Sequence, residues 1–175
     1  PRDRSDAAAR AATLLEQQGD AEDAITMHLA AGHWSAAARL VVLHARRLHD
    51  EGRWRTLRDA IAALPERCLD DDPWLAYWAG ACQVWVDAPL ARGMLERAFD
   101  GFAAHGARTG QVLAAGALTR ACLLDPDWFL LDRWIDSLDA LLAASGDECD
   151  AQVLLGGYSR LVYAALARRP RAPAL

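Results

Sequence analysis

Lysine and asparagine are both missing from the 175-residue chain, and each absence removes chemistry. Without lysine there is no P-loop lysine to reach a nucleotide phosphate and no amine to form a Schiff base. Without asparagine there is no N-glycosylation acceptor. All nineteen cationic side chains are therefore arginine. They face twenty-four carboxylates, and the formal charge of −5 provides no basic surface for a nucleic-acid backbone. No uninterrupted apolar run of about twenty residues occurs and no leader segment is visible, so the reading places nothing across a membrane. Cysteine is sparse and scattered: Cys68, Cys82, Cys122 and Cys149 make no C-x-x-C. That spacing fits neither a zinc ribbon nor a redox pair, and reads as small core residues in a reducing cytoplasm. Alternation of apolar and polar residues is also missing, so no strand is expected.

What is present is helical. Apolar residues make up 53% of the chain and seven are tryptophan, which excludes a disordered polymer. Glycine and Asp-Pro punctuation divides the sequence into nine expected helices: Ser5 to Gln18, Ala21 to Ala31, Trp34 to Glu51, Trp54 to Leu64, Pro73 to Val86, Ala88 to His105, Arg108 to Leu124, one from Asp125-Pro126 to Ser145, and Cys149 to Arg168. Residues 65–72 are expected as a loop in which Asp72 caps the next helix, and residues 169–175 as a disordered tail or the cut end of a longer chain.

Helix pairs repeat. A shift of 40 residues places Leu90 on Leu130, Leu95 on Ile135, Ala98 on Leu138, Phe102 on Leu142 and Gly106 on Gly146. The same shift places Trp34 on Trp74, Leu118 on Tyr158 and Cys122 on both Cys82 and Val162. Two helices per unit and a period near 40 predict an all-α, α-solenoid fold of antiparallel pairs, like tetratricopeptide repeats but with longer helices, as one domain over 1–168. The Gly-x-Trp stretches at Gly32 and Gly52 then mark helix-to-helix turns, with tryptophan wedged between neighbouring pairs. Trp74, Trp78, Cys82 and Trp85 fall on one helical face and read as a buried seam, with an aromatic ligand wall as the alternative. Trp128 and Trp134 read as separate core contacts. The last helix carries apolar residues on several sides, including Leu154, Leu155, Leu161, Val162 and Leu166, and begins a pair without its partner; the expectation is a piece of a larger array.

Enzyme signatures are wanting. His28 and His33, like His44 and His49, are five residues apart, about 140° around a helix, and cannot clamp one metal from one face. Neither a nucleophile elbow nor a zinc-protease helix motif occurs. Asp70, Asp71 and Asp72 read as a loop end and cap rather than a metal cluster. No cofactor is expected. One constellation remains: Thr119-Arg120 and Ser159-Arg160 stand 40 residues apart, at equivalent positions on the first helices of successive pairs. In a solenoid those helices line the concave surface, roughly 10 Å apart. Paired guanidinium groups there suit an acidic peptide or anionic effector, with Tyr77, Tyr158 and Tyr163 as aromatic contacts. The alternative, two solvated surface arginines, stays open.

Four segments, "EQQGDAEDAI", "AAGHWSAAARL", "GRWRTLRDAIAALP" and "DPWLAYWAG", together resemble the start of the helical-repeat domain of MalT-type, LuxR-like bacterial transcriptional regulators, which are signal-transduction ATPases. The likeness covers about Ala7 to Gly80; later helices follow only the general repeat. It implies a superhelix that binds an inducer or partner protein, with an ATPase module and a DNA-binding module elsewhere in the same chain, and no direct nucleic-acid contact here. The expected function is a cytoplasmic, non-catalytic sensor or protein-interaction module; the alternative is a free-standing tetratricopeptide-like adaptor that scaffolds complexes.

Overall fold

A computed structural model describes residues 10–16, 18–125 and 128–168. Among them the chain is all-α, with no strand. The helices are α1 (10–16), α2 (Ala21–Ala31), α3 (Trp34–Asp50), α4 (Trp54–Ala62), α5 (Glu66–Asp71), α6 (Pro73–Gln83), α7 (Ala88–Ala104), α8 (Arg108–Leu124), α9 (Phe129–Ser145) and α10 (Ala151–Arg168), with a 3-10 turn at Gly146–Glu148. The chain divides into two compact units, Pro1–Trp78 and Ala79–Leu175, at a boundary inside α6.

Most helix ends follow the local chemistry of the chain. Gly32, Gly52, Gly106 and Gly146 all adopt positive φ (72°, 75°, 64° and 45°), the region where a Cβ is penalised and a helix can turn off. Asp87 and Asp150 accept the backbone N–H of Leu90 and Val153 at 3.0 and 2.8 Å, and Asp72 accepts that of Trp74 at 2.9 Å. Three expectations need correcting. The expected loop at 65–72 contains the one-and-a-half-turn α5, which brings the helices to ten rather than nine. Pro65, extended at φ −59° and ψ 145°, launches it without any apolar periodicity to announce it. Helix α6 stops at Gln83 rather than Val86, and α9 starts at Phe129 rather than at Pro126. The Ser5 cap and the 169–175 tail lie outside the described residues.

In the first unit α2, α4 and α5 pack on α3, whose Ala37, Leu40, Val41, Ala45 and Leu48 are buried at helical spacing. Each leucine of that stripe contributes roughly 1.5–3 kcal/mol relative to exposure. Arg39 bridges to Glu16 at 2.9 Å, and Arg53 pairs with Glu22. The expected tryptophan wedges are only half-buried: Trp34 lies beside Gly32, and Trp54 lies beneath the guanidinium groups of Arg55 and Arg58, 5.1 and 5.6 Å from the ring centre. Trp78 is buried as expected, stacked near His49 with ring centres 5.6 Å apart.

His28 is the buried polar group of this unit, and its Nδ1 has no hydrogen-bond partner among the described residues. Burial, then the adjacent His33, lowers its pKa below the ordinary 6.5; burial and Arg47 do the same for His44. The unfolded chain therefore takes up protons on these rings at a higher pH than the folded chain. Their contribution to stability is complete above about pH 6.5 and is lost as pH falls. The melting temperature should drop between pH 7.5 and 5.5, and His28→Leu should flatten that slope; an unchanged slope in both His28→Leu and His44→Leu would assign the pH dependence elsewhere.

In the second unit α8 is central: α7, α9 and α10 all pack on it, and α10 also packs on α9. The 40-residue correspondence holds in the packing, with Leu95 and Ile135, Ala98 and Leu138, and Phe102 and Leu142 all buried. Close approach uses glycine. A Cβ on Gly110 would stand 2.3 Å from the Phe102 ring, and one on Gly157 would stand 2.7 Å from Leu142. Cys82, Cys122 and Cys149 are buried and Cys68 half-buried, all unbridged.

Candidate functional site

Helices α8 and α10 lie side by side in the second unit, and a groove opens across them toward the end of α6. Its lining is Trp85, Thr119, Arg120, Leu123, Ser159, Arg160 and Tyr163, around a volume of about 350 Å³. Thus the two dipeptides that stand 40 residues apart in sequence meet on one surface, and Tyr163 joins them. The reason is register. Residues separated by one repeat occupy the same angular position on neighbouring helices, so their side chains leave in the same direction.

The members differ in what they offer. Thr119 is buried, and its hydroxyl donates to the Gly116 carbonyl at 2.9 Å, so it serves the helix first. Ser159 is exposed, and Arg120 is half-buried. Arg160 is held in place by its stem. A Cβ on Gly116 would come within 2.8 Å of Arg160 Cδ, and one on Gly156 within 3.2 Å of Nη1. The bare backbone of Gly116 on α8 therefore forms the shelf on which the aliphatic part of Arg160 rests. Gly116 and Gly156 are themselves one repeat apart, so the shelf and the residue beside it come from the same periodicity.

Charge in the groove is one-sided. Its lining contains two guanidinium groups and no carboxylate. Elsewhere in this unit arginines meet acids: Arg92 with Asp125 at 2.8 Å, Arg108 with Glu148 at 3.4 Å, Arg168 with Asp132 at 3.2 Å. Arg160 has no hydrogen bond or ion pair among the described residues. The opposite wall is aromatic and apolar, made by Trp85, Leu123 and Tyr163, of which Trp85 is 71% exposed.

Two expected aromatic contacts fall elsewhere. Tyr77 is buried in the first unit, edge-on to Trp78 and Trp74 with ring centres 5.0 and 6.0 Å away, and serves as core. Tyr158 is exposed but points off the groove, on the outer side of α10. Conversely, Trp85 is not part of a buried seam. Helix α6 ends two residues before it, so the helical register that would align it with Trp78 and Cys82 no longer applies. Trp128 is also largely exposed, unlike Trp134. Leu123 was the member with an available signal, since it stands 40 residues before Tyr163.

Among the described residues no group of three or more His, Cys, Asp or Glu side chains could hold a metal ion, and no helix is long and apolar enough to cross a membrane. Asp70 and Asp71 end α5, and Asp72 caps α6. Compared with models of known protein families, with curated protein sequences and with solved structures, the chain matches none.

Proposed function

We propose that this chain is a non-catalytic helical-repeat sensor or protein-interaction module of a larger bacterial transcriptional regulator, acting in the cytoplasm and receiving an effector or partner in the groove between α8 and α10. The observation that carries the reading is the convergence of Thr119-Arg120 and Ser159-Arg160, from successive repeats, on one uncovered surface whose lining has no acid. Such a surface binds; it has no paired base and nucleophile with which to catalyse.

A second feature supports an interaction role. Leu155, Tyr158, Val162 and Leu166 form an exposed apolar stripe along α10. Their equivalents one repeat earlier, Ala115, Leu118 and Cys122 on α8, are fully buried. A stripe of this kind takes further protein, such as the next helix pair of a solenoid. The regulator context rests on the four N-terminal segments that resemble MalT-type proteins. In that context, effector occupancy shifts the packing of the array against the ATPase module by binding one arrangement more tightly than the other.

Reading the coding sequence on both sides of this segment tests the proposal. A G-x-x-x-x-G-K-[S/T] loop upstream and further 40-residue helix pairs downstream are expected. Their absence would favour a free-standing adaptor, in which case the groove would be probed through partner capture lost on Arg160→Ala.

A further inference from the structure

The chemistry of the groove specifies its ligand more narrowly than "effector or partner". Building on the reading of this surface as the binding face, we infer that the α8–α10 groove is a site for a small monocarboxylate with a compact apolar body: the carboxylate on Arg160, flanked by Arg120, and the body between Trp85, Leu123 and Tyr163.

Four observations converge. First, Arg160 is positioned before any ligand arrives, because its stem rests on the Gly116 shelf. A guanidinium fixed by packing loses little rotamer freedom on binding, and its planar fork matches the two oxygens of a carboxylate. Second, it has no anionic partner among the described residues, whereas Arg92, Arg108 and Arg168 of the same unit do. Third, the groove sets an apolar wall opposite the charge, so its preferred guest is amphiphilic. Fourth, the volume of about 350 Å³ lies near the lower end of small-ligand pockets, which span about 300–1,000 Å³.

The same geometry disfavours a phosphate. No helix N-terminus and no cluster of backbone N–H groups faces the groove. Thr119, Arg120 and Leu123 instead lie in the last two turns of α8, where the helix end is partially negative. A single negative charge on two arginines tolerates that field; a doubly charged phosphoryl group in the same place has too few donors to offset it. An acidic peptide would supply the carboxylate but leave the aromatic wall largely unused.

The test uses the chain as it stands and three probes of one shape: 4-phenylbutyrate, its neutral amide, and 4-phenylbutylamine. Binding is followed by isothermal titration and by ligand-observed NMR. Saturable binding of the acid, at least tenfold weaker binding of the amide, and none of the amine are expected. Arg160→Gln should erase the difference between acid and amide, and Arg160→Lys should restore part of it, while helicity and melting temperature stay unchanged because Arg160 lies at the surface. Gly116→Ala should also weaken the acid by displacing the arginine stem. Equal binding of acid and amide, or an acid affinity untouched by Arg160→Gln, would overturn the assignment. Inorganic phosphate or a Glu-rich tetrapeptide, titrated in parallel, distinguishes two kinds of failure. Arg160-dependent binding of either, with no response to phenylbutyrate, overturns the small-carboxylate inference but keeps the groove as the binding face. No Arg160-dependent binding of any probe overturns both.

Discussion

Replacing Trp134 with alanine is expected to lower the unfolding free energy of the second unit by about 3–5 kcal/mol, the range for truncating a large buried aromatic. Trp134 is 1% exposed and holds the contact between α9 and α7, meeting Phe99 edge-on with ring centres 5.1 Å apart. On the same ring lies the guanidinium of Arg133, 5.0 Å from its centre. Alanine removes both contacts and leaves a cavity that the flanking Leu131 and Leu138, already fully buried, cannot close without moving the helices. The indole N–H, however, finds no hydrogen-bond partner among the described residues. Burying such a group costs roughly 1–3 kcal/mol, so Trp134→Phe loses packing volume but also loses this penalty. It should stand within about 1 kcal/mol of the original protein. Urea unfolding followed by far-ultraviolet circular dichroism measures both variants. A loss below about 1 kcal/mol for alanine would show that the ring is not a core element.

The packing of Trp134 was legible before any coordinates, because its register mate one repeat earlier is Met94 and the flanking pairs Leu95 with Ile135 and Ala98 with Leu138 are all apolar. Periodicity is readable when it is enforced by burial on both copies. Helix ends were readable where a glycine must take positive φ, as at Gly32, Gly52 and Gly106, or where an aspartate caps a following proline, as at Asp72. The sequence was silent where neither constraint acts. Helix α5 spans only Glu66–Asp71, too short to display an apolar stripe, and it buries none of its residues. The end of α6 at Gln83 carries neither glycine nor proline, so the stripe of Trp74, Trp78 and Cys82 extrapolated one step too far and took Trp85 with it.

The site was partly legible for the same reason. Arg120 and Arg160 were found because a 40-residue shift superposes them, and the structure brings them to one groove together with Thr119, Ser159 and Tyr163. What the shift could not give is which equivalent positions differ in covering. Leu118 and Tyr158 share a register, yet Leu118 is buried by the helices that follow it and Tyr158 is exposed. Nor does sequence alone reveal that Gly116 supports Arg160, since a helical glycine ordinarily reads as a weak point worth about 1 kcal/mol. Its meaning depends on the neighbour that occupies the missing side chain's place.

Asp125 provides the other large effect, and here the sequence pattern misdirects. Asp-Pro reads as the cap of the next helix, but α9 begins four residues later at Phe129 and Asp125 is instead the C-cap of α8. A carboxylate there faces the negative end of the helix and is 6% exposed, so both its position and its burial are unfavourable without a cation. Arg92 of α7 supplies one, its Nη1 donating to Asp125 Oδ2 at 2.8 Å. Arg92→Met should therefore cost about 3 kcal/mol, the lower edge of the range for breaking a buried ion pair, because the arginine side chain itself is 22% exposed. Asp125→Leu should cost less, since Arg92 released from the pair can turn into water, whereas the carboxylate cannot. Combining Arg92→Met with Asp125→Leu should recover most of the loss, because two apolar groups of similar size need no partner. The coupling in that cycle, read from urea midpoints, isolates the pair itself. Additive single losses would mean that Asp125 is held by groups other than Arg92, and that the two helices are joined at this corner by apolar contact alone.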